Sequence, residues 1–265
     1  MLKNILFTIF VFAISYSVAA QTNLLKADIV ANFSIDADTY VGTDKLGYIY
    51  YIKNNVLFKK KGAEFWQYQN VSLGEISSVD IINPLKIVIF YENFNKVILV
   101  DNQLNEIQVI DFAFLQEPIV VRNVGMSGQN CLWVFDALKQ QIVLFNYETM
   151  KCRCLNQSLK STFVCFQSDF NYVFWLDEQH SLYKMDAFGK KEDVDAGVVF
   201  DSFQYSANDG YIYCNKNKLF FKSKSTAESV ALKISATSIK NFTYRDKILT
   251  IFTGKEIISY NLNLP

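Results

Sequence analysis

An all-β chain folded into a six-bladed ring, a β-propeller, is the architecture this sequence predicts, and three observations predict it. Apolar runs that read as second strands begin at Tyr48, Ile87, Leu132, Val173, Tyr211 and Ile248, a spacing of 37 to 45 residues. That is the length of a four-stranded blade rather than of a helical repeat. The chain carries 23 Phe and 15 Tyr but only 3 Pro and 10 Gly, a composition suited to half-buried strands with few breakers. Lastly, the final repeat stops at Pro265 just after its third strand, while Lys26 to Ser34, containing Ile29, Val30 and Phe33, precedes the first blade. This N-terminal segment is expected to supply the missing strand, closing the ring and removing two sheet edges. Rings of five or seven blades are the alternatives.

Taken in chain order, residues 1–20 read as a cleavable secretory signal. Lys3 leads an apolar run from Ile5 to Val18, and Ala19 and Ala20 precede Gln21. Cleavage is expected after Ala20, and no Cys follows the site to take a lipid anchor; an uncleaved anchor is the alternative. No later apolar stretch reaches the ~18 residues a spanning helix needs, so no transmembrane span is expected in the remainder. Residues 21–265 are expected to form one propeller domain, exported to the periplasm or associated with the outer membrane.

Blade four shows the repeat best. Thr162 to Asp169 reads as its inner strand, Tyr172 to Leu176 as the second, Ser181 to Asp186 as the third and Lys191 to Asp195 as the outer one. Polar breaks at Asp169 to Asn171, Asp177 to His180 and Ala187 to Lys190 supply the reversals. Blade five repeats the pattern with Asp201 to Ser206, Tyr211 to Cys214, Lys218 to Lys222 and Glu228 to Lys233. Elsewhere the second strands align as Gly47 to Tyr51, Lys86 to Tyr91, Cys131 to Phe135 and Lys247 to Phe252. Third strands follow at Val56 to Lys59, Val97 to Val100, Ile142 to Phe145 and Glu256 to Tyr260. These runs are nearly continuous in apolar residues, as strands buried on both faces should be. Third strands close on Asp101, Asn146, Asp186 and Asn261, residues that can bond their own turn backbone; the D-x-D-x-D-G type of calcium loop is absent.

Stretches such as Tyr183-Lys184-Met185-Asp186-Ala187-Phe188-Gly189-Lys190 and Ile98-Leu99-Val100-Asp101-Asn102 resemble the third strand and turn of quinoprotein-like and WD40-like propellers, a resemblance that covers Lys26 to Pro265. It implies the fold and carries no functional residues with it. The Trp-Asp strand ends of WD40 repeats and the Trp-rich docking motifs of quinone-dependent dehydrogenases are missing, so no cofactor is expected. Val18-Ala19-Ala20-Gln21 resembles the signal ends of small exported envelope proteins of Gram-negative bacteria.

Charge and motifs exclude several function classes. Lys plus Arg and Asp plus Glu number 26 each, and loss of Lys3 leaves one acid in excess. That balance argues against long-range attraction to nucleic acid. Lys59-Lys60-Lys61 followed by Phe65, Trp66 and Tyr68 is better read as lysines protecting an outer blade edge than as a stacking site for bases. No phosphate-binding glycine loop is present. His180 is the single histidine, placed in a hairpin, and no G-x-S-x-G elbow accompanies it. Asp177/Glu178 and Glu192/Asp193 read as solvated turn or edge residues. The five cysteines, Cys131, Cys152, Cys154, Cys165 and Cys214, read as small apolar strand residues, with one disulfide or a metal site as alternatives. No metal is expected. N-x-[ST] sequences at Asn32, Asn70, Asn156 and Asn241 would accept glycans only in a eukaryotic secretory path.

The most informative candidate surface is a set of loops. In an up-and-down blade the second-to-third-strand turns and the connections between blades emerge at one end of the ring. There Glu92 to Asn95 would neighbour Phe112 to Pro118 and Ala137-Leu138. Phe94, Phe112, Phe114, Leu115 and Leu138 are therefore the candidate partner-binding residues, since loops that cluster aromatic and aliphatic side chains mark docking patches. Burial of Phe112 and Phe114 between blades is the competing account. The expected function is a non-catalytic envelope propeller that docks other proteins, such as an accessory subunit of an outer-membrane assembly or transport complex. The alternative is a small-molecule or sugar binder, or a hydrolase, using the central funnel. Asp44, Asp80, Asp169 and Asp209 would converge there on a metal or sugar.

Overall fold

A computed structural model describes residues 24–264 other than 160, 162, 198, 207–209 and 227. The signal segment expected at 1–20, its cleavage site and Asp209 lie outside the described residues. The rest forms six sheets in a ring, a six-bladed β-propeller.

Blade one comprises Thr39–Thr43, Ile49–Lys53, Val56–Lys61 and Glu64–Tyr68. Blade two comprises Ser78–Asp80, Ile87–Tyr91, Lys96–Val100 and Glu106–Asp111. Val121–Met126, Cys131–Asp136, Gln141–Asn146 and Lys151–Cys154 make blade three. Blade four follows with Phe163–Ser168, Tyr172–Asp177, Ser181–Asp186 and Lys191–Ala196, within a residue or so of its sequence reading. Blade five has Ser202–Ser206, Gly210–Asn215, Lys218–Ser223 and Ser229–Lys233. Blade six supplies only Asn241–Arg245, Ile248–Phe252 and Glu256–Asn261 from its own repeat.

The ring closes through the N-terminus. Asp28–Ser34 pairs antiparallel with Glu256–Asn261, placing Ile29 opposite Tyr260 and Phe33 opposite Ile257, and completes blade six. Just before it, Leu24–Lys26 runs parallel to the outer strand of blade five, with Leu24 opposite Ala231 and Lys26 opposite Lys233. The same short segment therefore ties the outer edges of two neighbouring blades.

Burial explains the order of the strands. In blades two to six the second strand is the most enclosed, and Ile87–Tyr91 is buried at every position. Six apolar clusters lie between neighbouring blades, one at each junction. The cluster joining blade six to blade one is the smallest, with Ala37, Tyr40, Phe252 and Ile257 buried at its centre. Since burial of apolar area drives the packing, the closure junction is the least reinforced seam of the ring.

Two readings of side chains are corrected by this packing. Lys59 does not guard an outer edge. It is buried on the third strand of blade one, its Nζ 4.3 Å from the Tyr48 ring centroid, 5.2 Å from that of Trp66 and 2.5 Å from the Asn102 carbonyl it donates to. Cation–π attraction and this hydrogen bond offset part of the desolvation, yet burial still lowers the Lys59 pKa. Asp177 is likewise buried rather than solvated; its Oδ1 accepts the Gln179 and Ser181 amides at 3.0 and 2.9 Å. Lys60 and Lys61 remain exposed.

The expected turn chemistry is present at three of its four sites. Asp101 accepts from Gln103 and Asn105, Asn146 from Glu148 and Thr149, and Asp186 from Phe188 and Lys190. All five cysteines are unpaired thiols, and burial pushes the Cys165 thiol up to about 11. Among the described residues no helix is long and apolar enough to cross a membrane.

Candidate functional site: the apolar loop face

One end of the ring is built from the second-to-third-strand turns and the connections that leave each blade. In every blade these two loops are hydrogen-bonded to each other. Asn55 Oδ1 accepts the Ile76 amide at 2.8 Å, Asn95 Oδ1 the Val121 amide at 2.9 Å and Asn217 Oδ1 the Ile239 amide at 2.6 Å. The same three side chains donate through Nδ2 to the carbonyls of Gly74, Ile119 and Thr237. Each of these asparagines has a positive φ between 53° and 62°, a conformation Asn tolerates better than most residues. In blades three, four and six backbone bonds make the link: Leu159 to Gln140, Gly197 to His180 and Ile35 to Lys255. The loops of this face are thus held to the blades.

On that frame the candidate residues separate. Asp111 caps a single 3-10 turn, Phe112–Phe114, by accepting the Ala113 amide at 3.1 Å. With three residues per turn, positions two apart point to different sides. Phe112 accordingly turns inward, fully buried with its ring centroid 5.0 Å from that of Phe145, and leaves the candidate surface. Phe114 turns outward and is 87% exposed. Leu115 is partly buried against the core between blades two and three. Phe94 is 44% exposed and Leu138 75%.

The structure also brings together what the sequence placed only by analogy. Phe112 N donates to the Asn95 carbonyl at 3.2 Å and Ala137 N to the Val120 carbonyl at 2.7 Å, so all three loops are contiguous through backbone bonds. The ring of Phe94 lies beside Gly74, whose missing Cβ would stand 3.3 Å from Phe94 Cε2. This extends the face to the loop carrying Val71, itself 84% exposed, and Val120 adds a further exposed side chain. Sequence reasoning missed both valines; Val71 sits among polar residues with no periodicity to mark it. Around these apolar groups run ion pairs: Arg122 with Glu92, Lys139 with Glu117 at 3.4 Å and Lys96 with Asp111 at 2.9 Å. Exposed apolar groups are thus flanked by ion pairs with charges of both signs.

Of the carboxylates expected at the central funnel, Asp80 and Asp169 line it, Asp44 does not, and Asp209 lies outside the described residues. All six inner strands line a channel of about 370 Å³. Asp44 is drawn into its own turn, accepting the Leu46 and Tyr48 amides at 2.8 and 2.9 Å and the Tyr50 hydroxyl at 3.0 Å. Asp80 accepts the Ile82 and Met126 amides, at 2.7 Å each. Asp169 accepts those of Asn171 and Tyr172, also at 2.7 Å each. Among the described residues no group of three His, Cys, Asp or Glu could hold a metal ion.

No protein-family model matches the chain, and no curated protein matches it in sequence. Solved structures do resemble it. A member of the DUF4221 family from Bacteroides vulgatus superposes with a TM-score of 0.63 at 10% identity, over 92% of this chain and 99% of that one. Virginiamycin B lyase from Staphylococcus aureus superposes with a TM-score of 0.61 at 10% identity, over 91% and 96%. The β-propeller domain of Cps50 (Swd1) from Myceliophteria thermophila gives 0.59 at 9% identity, over 89% and 100%. Likeness at this level of identity shows the propeller fold, which hosts enzymes and interaction modules alike.

Proposed function

We propose that this protein is a non-catalytic propeller of the cell envelope that docks a protein partner through the apolar loop face. The observation that carries this reading is the joint exposure of Phe94, Phe114 and Leu138 on loops held to the blades. A surface of pre-ordered aromatic and aliphatic anchors binds with little ordering cost. The partner should present a complementary apolar patch with rim charges of both signs. The signal-like segment at residues 1–20 supports an exported partner, in the periplasm or at the outer membrane, and an assembly or transport complex there is the setting that fits.

Replacing Phe94, Phe114 and Leu138 with Ser tests the proposal. These side chains are exposed, so the variant should melt with the wild type while capture of the partner from native envelope extracts is lost. Equal capture by variant and wild type would refute the docking role, and a large fall in melting temperature would reassign the three residues to the core.

A further inference from the structure

The channel holds a cation with hydrogen-bonding capacity to spare. Among its lining residues the charged ones are Asp80, Asp169 and Arg245, and both carboxylates are committed to backbone amides. Arg245, at the end of the inner strand of blade six, is not committed in this way: its Nη1 is buried with no hydrogen-bond partner among the described residues. A guanidinium offers five donors in a planar fork, and leaving one buried without an acceptor is unfavourable. We propose that the channel binds a small molecule bearing a carboxylate, with Arg245 as its anchor.

The surroundings select the ligand class. Among the described residues Arg245 is the single cation of the lining, whereas Asp80 and Asp169 are its acidic residues. A monoanionic, planar carboxylate matches one guanidinium in charge and shape; a phosphate dianion would meet two carboxylates with one cation to offset them. Val79, Val124 and Phe166 provide apolar wall for the body of the ligand, and Asn123 and Gln204 bring amide groups to the same space. The volume lies within the range of small-molecule sites. The site is separate from the loop face, so it stands or falls independently of the docking role.

The test follows the Arg245 Nε–Hε signal of the labelled full chain by NMR during titration with acetate and benzoate, with acetamide and benzamide as neutral isosteres and inorganic phosphate as the competing oxyanion. Both acids should shift the signal saturably and the amides should leave it in place. Arg245→Lys keeps the charge but loses the fork and should weaken benzoate by about tenfold or more, a difference that reads lost bidentate geometry. Folding of that variant is checked by its circular dichroism, and Arg245→Gln, which removes the charge, should abolish binding. Acids and amides acting alike, an unmoved signal at tens of millimolar acid, unchanged benzoate affinity in Arg245→Lys, or phosphate binding more tightly than either acid would each overturn the proposal.

Discussion

Asn95 holds Val121 and Ile119 at once: its Oδ1 accepts the Val121 amide at 2.9 Å while its Nδ2 donates to the Ile119 carbonyl at 2.6 Å. One side chain thereby fixes the turn that presents Phe94 to the connection that presents Phe114. Asn95→Ala removes both bonds, strands one donor and one acceptor in a partly buried place and puts a Cβ-bearing residue without a polar side chain at φ 53°. A loss of about 1–3 kcal/mol in chemical denaturation is expected. Asn95→Gly relieves the backbone strain and should fall between that variant and the wild type.

The seam between blades six and one should be the weak point of the ring. Deleting residues 24–34 removes the outer strand of blade six and the added parallel strand of blade five together. It bares the edge of Glu256–Asn261, an invitation to edge-to-edge association. Size-exclusion chromatography of the truncated protein should show aggregates, and its unfolding should begin at lower denaturant. A monomer of unchanged stability would mean that the N-terminal strands are ornamental.

Gly125 marks where inner strands approach too closely for a side chain. A Cβ there would stand 2.0 Å from Ser168 Oγ and 3.1 Å from Asp80 Oδ2. Gly125→Ala should cost about 1–3 kcal/mol through overpacking. Adding Ser168→Gly removes the nearest clash, so the double variant should recover part of that loss in a thermal melt.

Glu192 accepts charge-assisted hydrogen bonds from Lys184 and Lys190, which hold its carboxyl down at about 2 against an ordinary 4.5. A carboxylate whose pKa is depressed on folding stabilises fully above its unfolded pKa. That contribution fades as pH falls from about 4.5 through 2. Because the group is exposed, the effect on stability is small, and the sharper readout is the NMR titration of Glu192 itself. Lys184→Met should move its midpoint back toward the ordinary value.

Much of the fold was legible because its signals are local. Apolar runs such as Ile87–Tyr91 and Tyr172–Asp177 repeat at blade spacing, and a final blade one strand short pointed to Ile29 and Phe33 as its completion. The parallel strand Leu24–Lys26 escaped because three residues carry no period. The site was only partly legible. Phe112 and Phe114 look alike in a loop, and only the 3-10 turn at Asp111 sends one inward and the other out. The Asn95 clamp spans more than twenty residues, and Arg245 stands out only through its buried, unpartnered Nη1 beside Asp80 and Asp169 that are occupied; neither arrangement leaves a motif. Lys59 was misplaced since a run of lysines reads as surface until Tyr48, Tyr50 and Trp66 are seen around it.

The docking role is tested most directly by photo-cross-linking. A benzophenone amino acid is placed at Phe114 or at Leu138, and as a control at Phe188, which is 89% exposed on the opposite end of the ring in the turn that follows the third strand of blade four. Irradiation in native envelopes should give the same discrete protein adduct from positions 114 and 138 and none from 188. No adduct from the loop face, or the same adducts from both ends, would contradict the account.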